Sequence, residues 1–234
     1  MKLTILRPGI RATMIAFVCT TVLPLSHSAY ADTAVTINNF SFEDDVLTFG
    51  GFTNNVLTDW TVVAGNSLLV GAYNPNTFAQ PVPDGSNTAY TNPGGAFYQD
   101  VSALVANSTY SFSVFVGQRT DIPLPTYNIQ LLDATTSAVL ASGTPSAPGS
   151  GDFVKFNMSF NSASFSSSVG DPIRIEFSAS GNVVSQVNFD DVTLAYSADS
   201  IAPTPEPSFF GLTLLGISAI AMLRPRRSAA RKQL

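Results

Sequence analysis

The chain has 234 residues, of which 45% are hydrophobic and 12% are charged, so it is too apolar for a disordered protein and too sparsely charged for a coiled coil. Eight of its 11 basic residues lie in the first and last eleven positions, whereas all 16 acidic residues lie between Asp32 and Glu206. The part between the two ends has three cations against sixteen acidic residues, a formal charge of −13. Binding to nucleic acid requires clustered cations that displace counterions from phosphates, and this composition excludes it.

Residues 1–31 have the three parts of a secretory signal peptide. A basic start is followed by an apolar stretch over residues 14–25 and by a short polar exit that contains small residues. Ala29 and Ala31 fit an A-x-A cleavage site, which predicts export and cleavage after Ala31. An uncleaved N-terminal anchor is the alternative.

Cleavage at that position would remove the only cysteine, Cys19, and the only histidine, His27. A mature chain without them has no disulfide, no thiolate or imidazole metal ligand and no Ser-His-Asp triad. A catalytic pair of carboxylates is still possible, but most of the acidic residues lie in turn sequences, where Asp serves backbone hydrogen bonding. The sequence therefore predicts a protein that is not an enzyme.

The body of the chain, residues 32–200, has short runs rich in Val, Ile, Thr, Phe and Tyr, separated by Gly, Pro, Asn, Asp and Ser. Such runs predict strands, and their spacing is typical of a sandwich or barrel. The predicted fold class is all-β, with one β-sandwich domain. The predicted strands cover residues 35–38, 60–63, 67–70, 88–91, 96–101, 109–116, 127–132, 138–141, 153–160, 173–178 and 187–196.

The C-terminal part predicts a membrane anchor. A Pro-rich linker over residues 201–207 leads to an apolar run over 208–223, and residues 224–234 form a basic tail. At 1.5 Å per residue the apolar run would make a short transmembrane helix whose flanking side chains reach the interface, and the basic tail would stay in the cytoplasm.

The order of three elements in this part resembles the PEP-CTERM sorting signal of exported bacterial proteins. The elements are a Pro-Glu-Pro motif, the apolar run and an arginine cluster, with the motif and cluster residues being Pro205, Glu206, Pro207, Arg224, Arg226 and Arg227. The resemblance implies recognition by an exosortase, a membrane protease. It also implies a transient stay in the inner membrane, followed by delivery to the cell surface or the extracellular matrix of an exopolysaccharide producer.

The body itself contains a motif near each of its ends. Residues 38–43 read Asn-Asn-Phe-Ser-Phe-Glu, and residues 188–194 read Asn-Phe-Asp-Asp-Val-Thr-Leu. Together they resemble the galactose-binding-like jelly rolls of carbohydrate-binding modules. The resemblance implies a jelly-roll sandwich that associates with exopolysaccharide or another glycan. Two alternatives are a purely structural matrix protein bridged by Ca²⁺ and a small polysaccharide hydrolase or lyase.

The jelly-roll resemblance also implies a structural Ca²⁺ site. In that family, the glutamate that ends the first motif and the first aspartate of the last strand help to hold the ion, and the matching residues are Glu43 and Asp190. Hard cations prefer several oxygen ligands, which an acidic body can supply. The alternative is that Glu43 lies in a solvated turn and Asp190 caps a strand.

A glycan-binding face would combine flat aromatic rings with directional hydrogen-bonding groups. The alternative is that the aromatic rings fill the core and that the arginine and aspartate form a local ion pair. The candidate ligand-binding residues are Trp60, Tyr73, Tyr90, Tyr98 and Tyr127, with Arg119 and Asp121 as polar partners.

Overall fold

The computed structural model describes residues 32–64 and 69–199. The predicted signal peptide with Ala29 and Ala31, the Pro-rich linker, the Pro-Glu-Pro motif, the transmembrane helix and the basic tail lie outside the described residues. Within the described ranges, no helix is long and apolar enough to cross a membrane.

The described residues form β-strands and one short 3₁₀-helix (Ser162–Ser168). Each strand is bounded by turn-forming residues, as the composition of the body indicated. The strands are β1 (Thr33–Ala34), β2 (Thr61–Ala64), β3 (Val70–Tyr73), β4 (Thr88–Thr91), β5 (Gly95–Ala103), β6 (Ser108–Gly117), β7 (Thr126–Asp133), β8 (Val139–Gly143), β9 (Phe153–Asn161), β10 (Pro172–Ser180) and β11 (Val187–Ala198).

These strands form two antiparallel sheets that pack face to face. The first sheet has the order β3-β4-β11-β6-β9, with β1 also paired to β11. The second sheet has the order β2-β5-β10-β7-β8. Neighbours in each sheet are mostly distant in sequence, which is typical of a jelly roll. The predicted all-β sandwich is therefore confirmed.

The core is a cluster of aromatic rings between the two sheets. The ring of Trp60 lies 5.5 Å from those of Phe42 and Phe97, measured between centroids. Phe177 lies 5.0 Å from Phe97 and 4.5 Å from Phe189. All five side chains are buried. Since burial of one large apolar side chain contributes about 1.5–3 kcal/mol, this cluster is a main source of the cohesion between the sheets.

Residues 35–38 do not form the predicted strand. Val35 and Ile37 are buried, but the backbone of Asn38 is bonded to a side chain instead of a neighbouring strand. The Asn38 N–H donates to Oε1 of Gln99, and Nε2 of Gln99 donates to the Asn38 carbonyl, both at 2.9 Å. The N–H of Val35 still donates to the carbonyl of Leu194 in β11 at 2.8 Å, and beyond it the amide side chain of Gln99 replaces a strand as the partner of the Asn38 backbone.

Two other elements differ from the prediction. The strand expected at residues 67–70 lies at Val70–Tyr73, and residues 65–68 are outside the described ranges. The 3₁₀-helix was not predicted, and it begins after Asn161, whose Oδ1 accepts a hydrogen bond from the N–H of Ala163 at 2.9 Å. Each of the remaining predicted strands overlaps an observed one.

Strand β11 contains a β-bulge at Asp191, which has a positive φ of 48°. The pairing with β6 shifts between Asp190 and Thr193. As a result, Phe189 and Val192 both point into the core although they are three residues apart. Bulges redirect side chains next to functional sites, and the side chain of Asp190 here points to the outer face of the first sheet.

We expect the substitution Trp60→Ala to lower the free energy of unfolding by about 3–5 kcal/mol, because it leaves a large cavity beside two rings. Denaturant unfolding followed by circular dichroism measures this change. Val63→Ala is the matched control, since Val63 is an exposed residue of the following strand and should change stability by less than about 0.5 kcal/mol. Equal midpoints for the two variants would contradict the assignment of Trp60 to the core.

Candidate functional site

A cavity of about 250 Å³ lies on the outer face of the first sheet. Strands β3 and β4 provide its floor, and the residue before β11 and three loops complete its wall. We call it the aromatic cavity, because three of its lining side chains are aromatic. It is lined by Phe52, Asn54, Tyr73, Tyr90, Asn92, Arg119 and Gln186.

The floor of the aromatic cavity is buried because a loop segment, residues 50–55, runs along the edge of β3. The N–H of Thr53 donates to a carbonyl of β3 at 2.9 Å, and the Thr53 carbonyl lies over Gly71. A Cβ atom at Gly71 would collide with that carbonyl, so glycine is required for the segment to lie this close. Tyr73 and Tyr90 are therefore buried although they face outward from the sheet.

Both tyrosine hydroxyls are fixed by hydrogen bonds. The hydroxyl of Tyr90 donates to the Thr53 carbonyl at 2.7 Å, and Asn54 Oδ1 lies 3.2 Å from it. The hydroxyl of Tyr73 donates to Asn76 Oδ1 at 2.7 Å. Burial raises the pKa of Tyr90 to about 12, so this phenol keeps its proton at neutral pH.

Arg119 supplies the cation of the aromatic cavity. Its Nε and Nη2 donate to the two carboxylate oxygens of Asp121 at 2.9 and 2.7 Å, and its Nη1 donates to Gln186 Oε1 at 3.0 Å. The guanidinium carbon lies 5.0 Å from the centre of the Tyr73 ring. The hydrogen bond from Arg119 lowers the pKa of Asp121, so that carboxylate stays ionised.

A chain of hydrogen bonds continues from Arg119 beneath the loops. Gln186 Nε2 donates to Asn188 Oδ1 at 3.2 Å, and Asn188 Nδ2 donates to Thr88 Oγ1 at 2.9 Å. All three side chains are buried. The side-chain amides of Gln186 and Asn188 can each make these hydrogen bonds in only one orientation. The position of Arg119 is therefore set by a network that reaches the centre of the sheet.

A second depression, of about 470 Å³, lies farther along the same face over β6, β9 and β11. It is lined mainly by hydroxyl and amide side chains and by Lys155. Most of these side chains are outward positions of regular strands. The aromatic cavity is the better candidate site, because its walls combine apolar rings with a few polar groups held in fixed positions, as small-molecule sites do.

The structure brings together some of the predicted ligand-binding residues and separates others. Tyr73, Tyr90 and Arg119 line the aromatic cavity, and Asp121 is bonded to Arg119. Trp60 and Tyr127 are buried in the core, where neither ring is accessible to a ligand, since inward positions of a sandwich collect large rings. Tyr98 lies on β5, which belongs to the second sheet, whereas the floor of the cavity belongs to the first sheet.

Tyr98 forms part of a similar arrangement on the second sheet. Arg174 lies 3.7 Å from the centre of its ring and donates to both carboxylate oxygens of Asp100, at 2.7 and 2.9 Å. The same three residue types therefore occur twice, once within a cavity and once on an open sheet surface.

The residues that the sequence missed are Phe52, Asn54, Asn92 and Gln186. Phe52 and Asn54 belong to a loop whose course along β3 has no signal in the local sequence. Gln186 could have been found, because Gln186, Asn188 and Asp190 alternate with the apolar Val187 and Phe189 at the start of β11.

Glu43 and Asp190, the two predicted calcium ligands, contact one and the same turn. Glu43 Oε1 accepts hydrogen bonds from the N–H groups of Ser86 and Asn87 at 2.7 and 2.6 Å. Asp190 Oδ2 accepts from the N–H of Asp84 at 2.8 Å. The fold thus joins the first motif, the turn and the last strand, which sequence spacing alone could not establish.

Asp190 is fully buried, and its carboxyl group is poorly suited to ionise in this environment. Burial raises its pKa to about 8, partly offset by the backbone N–H groups of Asp84 and Asp191, while the negative charges of these two neighbours raise it further. Nearby, Asn87 Nδ2 donates to two backbone carbonyls, whereas its buried Oδ1 has no hydrogen-bond partner.

These groups fit a hard divalent cation in chemical type, since two carboxylates and an amide oxygen without a partner are its preferred donors. Among the residues that the structure describes, no group of three or more His, Cys, Asp or Glu side chains could hold a metal. Any cation here would therefore need amide or backbone oxygens in addition to the carboxylates.

Comparison with known proteins gives a family for the body of the chain. The model of the HpiC1-like family, described as HpiC1 cyclase, matches residues 33–195. A search of curated protein sequences gives no significant match.

Solved structures of cyclases share the fold. A Stig cyclase, FisC, from Fischerella sp. TAU, in complex with (3Z)-3-(1-methyl-2-pyrrolidinylidene)-3H-indole, has a TM-score of 0.65 and 21% identity over 73% of this chain and 100% of its own. A cyclase from Fischerella sp. TAU in complex with 4-(1H-indol-3-yl)butan-2-one has a TM-score of 0.62 and 22% identity, over 72% of this chain and 100% of its own. At these identities the two structures establish the fold and no more.

The family match corrects several predictions. The expected non-enzymatic surface or matrix protein is wrong, as is its Ca²⁺-bridged structural variant, because the matching family is one of cyclases. The expected partners, an exosortase and an exopolysaccharide, are also wrong, because they belong to the non-enzymatic matrix protein that the cyclase family match overturns. The jelly-roll resemblance is correct for the fold, which hosts unrelated functions, and it was misleading for the activity.

In a buffer that contains EDTA, we expect the melting temperature to fall as the pH rises from about 5 to about 8. The carboxyl of Asp190 ionises near pH 4 in the unfolded chain and only near pH 8 in the folded protein, so its contribution to stability is complete below pH 4 and is lost up to pH 8. Thermal melts of the unmutated protein and of Asp190→Asn measure the effect, and the variant should have the smaller slope. Identical slopes would contradict the raised pKa.

Proposed function

Because the chain belongs to the HpiC1-like cyclase family, we propose that it is a cyclase that closes a ring in a small molecule bound in the aromatic cavity. We propose further that the substrate contains a flat nitrogen heterocycle of the indole type, as the ligands of the two Fischerella cyclases do. The observation that carries this proposal is the cavity itself, in which three aromatic side chains and one fixed guanidinium surround a small volume.

The size of the aromatic cavity supports a small ligand. Its volume of about 250 Å³ is slightly below the range for small-molecule sites, roughly 300–1,000 Å³. Such a volume suits one bicyclic ring with a short side chain. A polymer would instead need an extended groove.

Exposure at the entrance also supports a flat apolar ligand. Phe52 is 58% exposed although it lines the cavity, and it lies on the loop segment that is fastened to β3 on both sides. Leaving a phenyl ring in water is unfavourable, and an aromatic ligand stacked on it would remove that surface from water.

Ring closure is accelerated by two properties of this site. Walls on several sides hold a flexible side chain folded against the ring to which it must bond, which lowers the entropic part of the barrier. The faces of Phe52 and Tyr90 stabilise positive charge that develops on an electron-rich heterocycle during bond formation, whereas the ring of Tyr73 already contacts the Arg119 guanidinium. Arg119 repels that charge, so the reacting ring would lie toward Phe52 and Tyr90.

We expect the purified protein to bind 4-(1H-indol-3-yl)butan-2-one saturably and with 1:1 stoichiometry. Phe52→Ala should weaken binding about tenfold, because it removes one aromatic contact and its apolar area. Phe49→Ala is the matched control, since Phe49 is 78% exposed on the same loop and is not part of the cavity lining. Titration calorimetry measures both affinities.

Cyclase activity is tested separately by incubating 3-alkenyl indoles with the protein and separating the mixture by chromatography. Intramolecular ring closure produces an isomer, so a product of unchanged mass and altered retention time is expected. The absence of saturable binding together with the absence of any isomer would overturn the proposed function.

We also propose a structural Ca²⁺ held by Glu43 and Asp190 beside the Asp84–Asn87 turn. The ion would supply the positive charge that the buried carboxyl of Asp190 lacks, and the side-chain oxygen of Asn87 would gain a partner. Its role would be to fasten the first motif and the turn to β11.

We expect calcium to raise the melting temperature of the unmutated protein by about 5 °C relative to EDTA. The double variant Glu43→Gln/Asp190→Asn should melt at the same temperature in both buffers, because it lacks both charged ligands. Asp44→Asn, which removes an exposed carboxylate next to Glu43, should retain the calcium response. Equal melting temperatures of the unmutated protein in calcium and in EDTA would remove the proposed ion.

A further inference from the structure

Arg119 has hydrogen-bond donors that the protein does not use. A guanidinium carries five N–H groups. Three of them donate to the two oxygens of Asp121 and to Gln186 Oε1. One N–H on each of Nη1 and Nη2 therefore has no partner among the described residues. The side chain is only 16% exposed, so solvent has limited access to these donors.

The orientation of these donors is fixed before any ligand binds. Asp121 holds one edge of the guanidinium with two parallel bonds, and the ring of Tyr73 lies against its face. Gln186 cannot turn its amide, because its Nε2 is bonded to Asn188. A ligand that meets the two remaining N–H groups would therefore lose little free energy in organising the site.

The charge around Arg119 decides which acceptor fits. Asp121 already balances the guanidinium charge, and the rest of the body is strongly acidic. A ligand carboxylate would lie close to the Asp121 carboxylate and be repelled by it. A ligand ammonium would face N–H donors. A neutral carbonyl oxygen accepts hydrogen bonds from a charged donor without adding charge.

We infer that Arg119 selects, among flat heteroaromatic molecules, those whose side chain carries a neutral carbonyl oxygen. This inference rests on the proposed function of the aromatic cavity and adds a substrate class to it. Arg119 acts here as a specificity-determining residue. It holds the side chain of the substrate at one end of the cavity, while the rings hold the heterocycle at the other.

The test compares three probes that differ only at the end of the side chain. They are 4-(1H-indol-3-yl)butan-2-one, 3-butylindole, whose side chain is purely hydrocarbon, and indole-3-propanoate. Titration calorimetry at pH 7.5 gives their affinities for the unmutated protein and for Arg119→Gln. The ketone should bind the unmutated protein more tightly than either of the other two probes.

Arg119→Gln should weaken ketone binding about tenfold, the effect of losing one or two hydrogen bonds from a charged donor, and should change 3-butylindole binding by less than about twofold. Arg174→Gln is the matched control. It removes the same kind of Asp-bonded, Tyr-stacked guanidinium from the second sheet and should leave all affinities unchanged. Thermal melts verify that each variant is folded.

A second variant tests the same inference if Arg119→Gln does not fold. Asp121→Asn retains Arg119 but removes the balancing charge, so it should strengthen binding of the carboxylate probe relative to the ketone. Equal losses for the ketone and 3-butylindole in Arg119→Gln, or an unchanged preference in Asp121→Asn, would overturn the inference while the cavity remains a binding site. Failure of every probe to bind the unmutated protein would overturn both proposals.

Discussion

Three polar side chains at the start of β11 are buried on its outer face, and each must find hydrogen-bond partners: Gln186, which immediately precedes the strand, and Asn188 and Asp190 within it. That requirement determines where the loops that cover this face lie. Arg119 donates to Gln186, and the turn at Asp84 donates to Asp190. The inner face of the same strand belongs to the aromatic core. One strand therefore supplies the cohesion of the sandwich on one side and the polar framework of the candidate site on the other.

This arrangement explains why the aromatic cavity is confined to one end of the first sheet. The loop segment along β3 can approach closely only where Gly71 leaves room, and its Thr53 carbonyl is then held by the hydroxyl of Tyr90. The Arg119–Asp121 pair encloses the opposite side. On the second sheet an equivalent arginine, Arg174, is also paired and stacked, and its side chain is 23% exposed against 16% for Arg119.

A jelly roll does not by itself determine function, and this chain illustrates how the inference can fail. The two end motifs of the body correctly indicated the fold, and a glycan was then inferred from the fold alone. The family match and the small volume of the aromatic cavity instead favour chemistry on a small molecule. The absence of His and Cys from the predicted mature chain argued against catalysis, and that prediction was wrong. A cyclase can act by positioning its substrate and by stabilising charge with aromatic rings, and neither role needs a thiol or an imidazole.

The sequence by itself determined most of the strands, because alternation of apolar and polar residues is a local property with a period of two, whereas residues 35–38 did not form the expected strand. It also located Tyr90 and the Arg119–Asp121 pair as candidates, since an ion pair two residues apart is visible in the chain. Only the tertiary structure decided that Trp60 belongs to the core whereas Phe52 lines the cavity. Both are aromatic residues next to turns, and their burial depends on which distant strand or loop packs against them. That packing is a property of contacts far apart in sequence, which no local pattern encodes.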